Sequence, residues 1–271
     1  MSETENSNIY SDFPWANIRI VLVETSHPGN IGAVARAMKN MQLESLYLVS
    51  PQQPPDRHSA ARSSGATDVL NNAVICNTLA EAISDCRLVI AASARLRSIP
   101  WPTAGAAEAA QKIVENCQQA PVAMVFGRED RGLNNEELDH CHLMTRLPTN
   151  PDFSSLNIAA AVQVFSYEIH KSFLAAKEKH QSEACTETDK STIFSAADSP
   201  ASSQNLMNMF EHFEEALVQV HFMPEHRTRT LMRKLTRFFY KSQITEEEVS
   251  IFRGILTELQ RLSTINNELK K

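Results

Sequence analysis

No run of about eighteen consecutive apolar residues occurs in this chain, so no segment reads as a membrane-spanning helix. The five cysteines (Cys76, Cys86, Cys117, Cys141 and Cys185) are odd in number and contain no CxxC spacing. That disfavours a disulfide scaffold or a zinc ribbon and fits a reducing cytoplasm. Neither GxGxxG nor GxxxxGK[ST] is present, which disfavours an ordinary dinucleotide site and a phosphate-binding ATPase loop. The first residues, MSETENSNIYSDFPW, are polar and acidic, without the basic start or apolar middle of a secretory signal. No internal repeat is found. Glycine is scarce, at seven residues in 271.

What remains is an ordinary soluble composition, 42% hydrophobic and 21% charged, long enough for one large domain or a medium domain with an appendage. The net charge of -6 argues against a generic nucleic-acid coat. The charge is uneven, however. Arg227, Arg229, Arg233, Lys234, Arg237 and Lys241 fall in one short stretch beside the single acid Glu225. Such a stripe is either a solvated helix face or an RNA contact.

Residues 1–16 read as a flexible tail. From Asn17 apolar runs alternate with helical patterns. Buried strands are expected at 18–24, 46–49, 73–76, 88–93 and 122–127, with a further short strand at 143–148. A helix follows the first loop, with Ile31, Val34, Ala35, Met38 and Met41 on one face. Others are expected at 79–84, 104–118 and 155–174, the last apolar nearly all round at its start and so expected to be buried. Strands alternating with helices imply an α/β domain over 17–174, with a mostly parallel sheet covered on both faces. Residues 175–203, rich in Ser, Thr, Ala and charge, read as a linker. Three amphipathic helices, 205–222, 226–241 and 245–268, form a helical region over 204–271, with Thr245 as the N-cap of the third.

Four of the seven glycines sit in two loops, Gly29 with Gly32 and Gly127 with Gly132, each pair after an expected strand. Loops at the carboxyl ends of parallel strands are where such sheets bind ligands. Glycine there points to tight turns and close ligand approach. A third loop, PTNPDFSSLN (148–157), leads into a helix that Ser154 or Ser155 could cap. Plain alternatives stand beside each candidate. Arg36, opposite the apolar stripe of its helix, also reads as a solvated side chain, and Asn30 as an N-cap. Arg128, Glu129, Asp130 and Arg131 also read as a charged surface turn. His140-Cys141-His142 invites a metal reading, but neighbours in sequence converge poorly on one ion, and no further ligand cluster accompanies them. No metal is expected.

Together, VLVETSHPGNIGAVARAMKNM (21–41), VFGREDRGLNNEEL (125–138) and LPTNPDFSSLNIAAAVQV (147–164) resemble the three motifs of the SPOUT-class RNA 2′-O-methyltransferases. Within that class the likeness is to the bacterial tRNA cytidine/uridine 2′-O-methyltransferases of the TrmJ type. It covers residues 17–174, including ASARLRSIPWP (92–102), and extends more loosely to the helical tail. The resemblance implies a SPOUT fold with a C-terminal trefoil knot, an S-adenosyl-L-methionine pocket in that knot, and a homodimer with active sites at the subunit interface. It implies tRNA as partner, with the pyrimidine nucleotide 32 of the anticodon loop as target. Ribosomal RNA as substrate, or a non-catalytic RNA-binding protein of the same fold, are the alternatives.

Carried over by position, the cofactor residues are Ala92, Ser93, Ala94, Gly127, Leu147, Ser154, Ser155 and Leu156. The catalytic set is Arg36 and Asn30 from the first motif, Arg128 and Glu129 from the second, and Ser155 with Asn157 from the third. Arg95 and Arg97 become RNA contacts, joined by Arg227, Arg229, Arg233, Lys234 and Arg237 of the basic stripe. The implied reaction moves a methyl group from a sulfonium to a ribose 2′-hydroxyl, which must be aligned and must lose its proton. Arg36 has two open roles. It could act as a base with help from an RNA phosphate, as the family assignment holds. Or it could stay cationic, pin the phosphate and stabilise the alkoxide, which better suits a guanidinium, a side chain that does not give up its proton in proteins.

Overall fold

A computed structural model describes residues 13–94, 101–183, 200–222, 224 and 228–269. Arg95, Arg97, Arg227 and Cys185 lie outside the described residues, as do most of the expected tail and much of the expected linker.

Seven parallel strands make one sheet. They are β1 (Ile18–Val23), β2 (Ser45–Val49), β3 (Val74–Cys76), β4 (Leu88–Ala92), β5 (Thr103–Gly105), β6 (Val122–Phe126) and β7 (Leu143–Arg146), in the spatial order β3-β2-β1-β6-β4-β7-β5. β1 and β6 are buried at every position, as strands between two covered faces must be, and the one charge in them, Arg19, is paired with Asp85. β3 departs from expectation. Val74 and Ile75 are exposed, because β3 is an edge strand with a neighbour on one side alone.

One face carries α1 (Pro28–Asn40), α5 (Ala106–Asn116) and α7 (Ile158–Glu183), with Ile18, Ile20, Leu22, Ile90, Met124, Val162 and Phe165 in a common core. The opposite face carries α4 (Leu79–Ile83), α6 (Asn135–Asp139) and the C-terminal helices α8 (Ser203–Gln219), α9 (Thr228–Ser242) and α10 (Glu246–Leu269). The C-terminal helices are therefore more than an appendage. Leu206, Met209, Phe239, Tyr240 and Val249 share a core with the strand residues Val21, Val89, Ala91 and Val125. The start of α8 is tied to the loop before β4, with Ser203 N and Oγ both donating to the Cys86 carbonyl, at 2.9 and 2.7 Å.

Several boundaries differ from the sequence reading. α7 begins at Ile158 and runs nine residues past 174, into the stretch read as linker. Its apolar start is not wholly buried: Val164, Tyr167 and Leu174 are exposed. α2 (Arg57–Ser63), α3 (Thr67–Asn71) and α6 were not expected. At five to seven residues they are too short to show a helical period. Thr245 does cap α10: its Oγ1 accepts from Glu248 N, and the Glu248 carboxylate accepts from Thr245 N.

Candidate active site

Strand register places the site. Val23 pairs with Val49, Leu22 and Ala92 with Phe126, and Ala92 with Thr145. The carboxyl ends of β1, β6, β4 and β7 therefore lie side by side, and the three candidate loops leave from one edge.

The loop after β1 starts under strain. Glu24 has a φ of 48°, uncommon for a residue with a side chain. Its carboxylate pairs with Arg128, whose guanidinium also meets Glu137 at 3.0 Å. The Arg128 side chain is 9% exposed. Hydrogen bonding to Glu24 raises the Arg128 pKa against the opposing effect of burial. Arg128, expected as a catalytic group, is thus a clamp between the first two loops, with its cation already neutralised.

Glu129 lies on the other side of the same turn. Its carboxylate accepts from Asn30 Nδ2 at 3.0 Å, from Ser26 N at 3.2 Å and from Ser26 Oγ at 3.1 Å. Burial pushes its pKa up, but the bonds from Asn30 and Ser26 outweigh that and hold it below the usual range. Asn30 Oδ1 in turn accepts from Asn157 Nδ2 at 3.1 Å, and Asn157 Oδ1 accepts from Ala159 N at 2.9 Å. One hydrogen-bonded chain, Glu129–Asn30–Asn157, joins all three loops. Its amides have a fixed sense, because a carboxylate at one end accepts only and a helix N–H at the other donates only.

Two caps are reassigned here. Asn157 caps α7, rather than Ser154 or Ser155. His27 Nδ1, accepting from Gly29 N at 3.0 Å, caps α1, which leaves Asn30 inside the first turn with its side chain available to Glu129 and Asn157.

Beside this chain is a cavity of about 300 Å³. Ala92, Ser93, Ala94, Gly127, Leu147, Ser154, Ser155 and Leu156, all expected to hold the cofactor, line it together with Arg128 and Glu129. Phe126, Ile158, Ala161 and Phe165 give it an apolar floor. Thr145 also lines it, and its hydroxyl is buried without a partner among the described residues. The volume and the mixed lining suit a small molecule with one flat apolar part and several polar ends.

Close backbone packing requires glycine at two of the loop positions. A Cβ on Gly127 would lie 2.2 Å from the backbone of Gly132 and Leu133, and one on Gly32 would lie 2.1 Å from Ser59 O. Both glycines admit closely packed neighbouring backbone, and Gly127 also lines the cavity. The second loop folds back on itself, with Gly132 N donating to Arg128 O at 2.8 Å.

Arg36 is not brought to the cavity. It is exposed on α1, six residues beyond Asn30, and donates to Ser64 Oγ at 3.3 Å. Six residues advance about 9 Å and turn about 240° around the helix, away from Asn30. The basic stripe also divides. Arg229 pairs with Glu136 and Arg233 with Asp139, both at 2.8 Å, which docks α9 on α6; Lys234 and Arg237 form no ion pair among the described residues. His140, Cys141 and His142 do not converge. His140 Nδ1 meets Met207 Sδ, Cys141 Sγ donates to Glu137 O, and His142 Nδ1 accepts from Val89 N.

Ser26, Glu24, Glu137 and Thr145 escaped the sequence reading. Glu137 carried a signal, since Asn134-x-x-Glu137 is a capping box. Thr145 carried none.

The family comparison agrees with this geometry. Residues 17–167 match the SpoU rRNA methylase family, and residues 204–268 match the C-terminal domain of the tRNA methyltransferase TrmJ. The chain belongs to the SpoU methylase family. It is 44% identical over 253 residues to a Pseudomonas aeruginosa tRNA (cytidine/uridine/adenosine-2′-O-)-methyltransferase TrmJ, covering 91% of this chain and 95% of that protein. A Klebsiella pneumoniae tRNA (cytidine/uridine-2′-O-)-methyltransferase TrmJ is 43% identical, covering 90% and 97%. The crystal structure of TrmJ from Z. mobilis superposes with a TM-score of 0.73 at 32% identity, covering 89% of this chain and 98% of that one.

Proposed function

We propose that this protein is an S-adenosyl-L-methionine-dependent tRNA 2′-O-methyltransferase that acts in the cytoplasm on cytidine or uridine 32 of the anticodon loop. The observation that carries the reading is the Glu129–Asn30–Asn157 chain, which ties three loops together at the mouth of a ligand-sized cavity. The TrmJ C-terminal match favours tRNA over ribosomal RNA.

The cavity fits the cofactor. Its apolar floor suits the adenine ring, the unpartnered Thr145 hydroxyl offers that end a hydrogen bond, and Ser154 and Ser155 lie with Glu129 in the polar lining. When bound, the cofactor supplies a methyl group on a sulfonium. The protein must hold the ribose 2′-hydroxyl in line and manage its proton. Glu129 is ionised but already accepts three hydrogen bonds, so its role is to fix Asn30 and Ser26 rather than to take the proton. A cation that pins the adjacent phosphate and stabilises the developing alkoxide is the part still needed, and Arg36 is the candidate.

A single chain leaves Arg36 off the cavity, and a homodimer could supply it from a second copy. The exposed residues Phe153, Leu156, Ala160, Val164, Tyr167, Lys171 and Leu174 recur at intervals of three and four from the cavity rim along α7. That seam has the spacing of helix-to-helix packing. The C-terminal knot implied by the resemblance belongs to the same proposal.

Mass spectrometry of nucleosides after incubation of tRNA or ribosomal RNA with labelled cofactor tests the reaction; labelling confined to ribosomal RNA would overturn the substrate. Arg36→Ala should abolish transfer while calorimetry still detects cofactor binding, and full activity would remove Arg36 from the mechanism. Tyr167→Glu should sediment as a monomer, and an unchanged mass would exclude the α7 seam as the interface.

A further inference from the structure

The outward face of α9 carries an arrangement that the docking of the helix does not use. Met232, Thr236, Phe239 and Tyr240 are buried, and Arg229 and Arg233 pair with α6. At 100° per residue, Lys234, Arg237, Phe238 and Lys241 fall within an arc of about 100° on the other side. Lys234 and Lys241 are exposed, and Arg237 is half-buried. Phe238 is 64% exposed. The helix has no acidic residue, and none of the three cations forms an ion pair among the described residues.

Phe238 is held as a platform. Its ring stands edge-on to Phe239 at 5.5 Å, and Phe239 is anchored in the core. A large aromatic ring in water with cations before and after it matches the chemistry of single-stranded RNA, whose bases stack and whose phosphates need positive charge. The face does not suit a partner helix, which would call for apolar anchors at i+3, i+4 and i+7; here position i+3 from Phe238 is Lys241, and position i−4 is Lys234. Nor does one aromatic residue make an apolar face that could enter a bilayer.

We infer that the outward face of α9 binds an unpaired stretch of RNA, with Phe238 stacked on a base and Lys234, Arg237 and Lys241 on the flanking phosphates. From Lys234 to Lys241 is about 10 Å along the helix, so the contact covers a short segment. It rests on the reading of tRNA as substrate and adds a second point of attachment outside the cavity. Stacking tolerates any base, so this contact contributes affinity rather than choice of nucleotide.

The test uses the full chain and an unmodified tRNA transcript in filter binding across a salt series. Phe238→Ala should weaken binding about tenfold, the size expected for one lost stack, with the salt slope unchanged. Phe238→Trp should restore affinity, and Phe238→Leu should not. Lys234→Ala with Lys241→Ala should lower the slope of log K against log salt by about 1.4, as two lost phosphate contacts on a single strand require. Thermal midpoints should not move, because these side chains are outside the core. Unchanged affinity in Phe238→Ala, or full rescue by leucine, overturns the inference. So does Phe238-dependent flotation with phosphatidylglycerol vesicles, which would make the face a membrane contact. If the wild type methylates tRNA while Phe238→Ala binds it normally, the inference alone fails. If the wild type methylates no tRNA, the proposed function fails instead.

Discussion

Asn157→Asp separates the two jobs of one side chain. In the protein Asn157 donates to Asn30 and accepts from Ala159. Aspartate still accepts from Ala159 N, and its charge at the start of a 26-residue helix contributes about 0.3–1 kcal/mol. It cannot donate to Asn30. The lost hydrogen bond costs about 1 kcal/mol, and two acceptor oxygens then face one another. Rotating the Asn30 amide offers no escape, because its oxygen would then face the Glu129 carboxylate. Gain and loss nearly cancel, so the thermal midpoint should move by no more than about 4 °C. Methyl transfer should fall about 10- to 100-fold, because the first and third loops are no longer held in register. Initial rates with labelled cofactor, beside a melting curve, read both quantities. Activity within about threefold of wild type would show that the chain of amides does not align the site. A large loss of stability would show that Asn157 is structural alone.

Two other outcomes concern stability. Gly127→Ala should destabilise the fold by about 3 kcal/mol, since its Cβ lands 2.2 Å from rigid backbone; a melting point near wild type would refute the tight turn. His142 is half-buried where α9 meets the sheet, and burial of its ring lowers its pKa to about 4. The folded state thus prefers the neutral ring. Stability from this group is complete above the unfolded pKa of about 6.5 and is lost as pH falls toward 4, up to about 3 kcal/mol. His142→Gln should flatten that part of the stability profile, and an unchanged profile would assign the acid sensitivity elsewhere.

Six of the seven strands were legible because both faces of the sheet are covered and apolar runs mark them. β5 (Thr103–Gly105), three residues long with one buried position, was missed and fell at the edge of the stretch read as the helix 104–118. Convergence of the loops was legible because they follow parallel strands and carry family motifs. The links between them were not. Asn30 and Asn157 are 127 positions apart, and nothing in their local sequence says that their amides meet. Gly127 stood out by its scarcity, and the tight turn expected there is its own loop folding back on it. Arg128 matched a catalytic position, yet the two carboxylates that neutralise it come from residues that no local pattern marks as its partners. The basic stripe of α9 was visible as composition. Which of its charges are consumed in docking depended on α6, a five-residue helix too short to register.

The core shared by α8, α9 and the sheet has a consequence for dissection of the enzyme. Deleting everything after residue 183 would strip apolar cover from Val89, Ala91 and Val125, on the reverse side of the strands whose ends build the cavity. A truncated chain that loses methylation would therefore say little about RNA contact, because the scaffold beneath the pocket is undermined at the same stroke. Point changes on the outer rim of α9 leave that foundation in place.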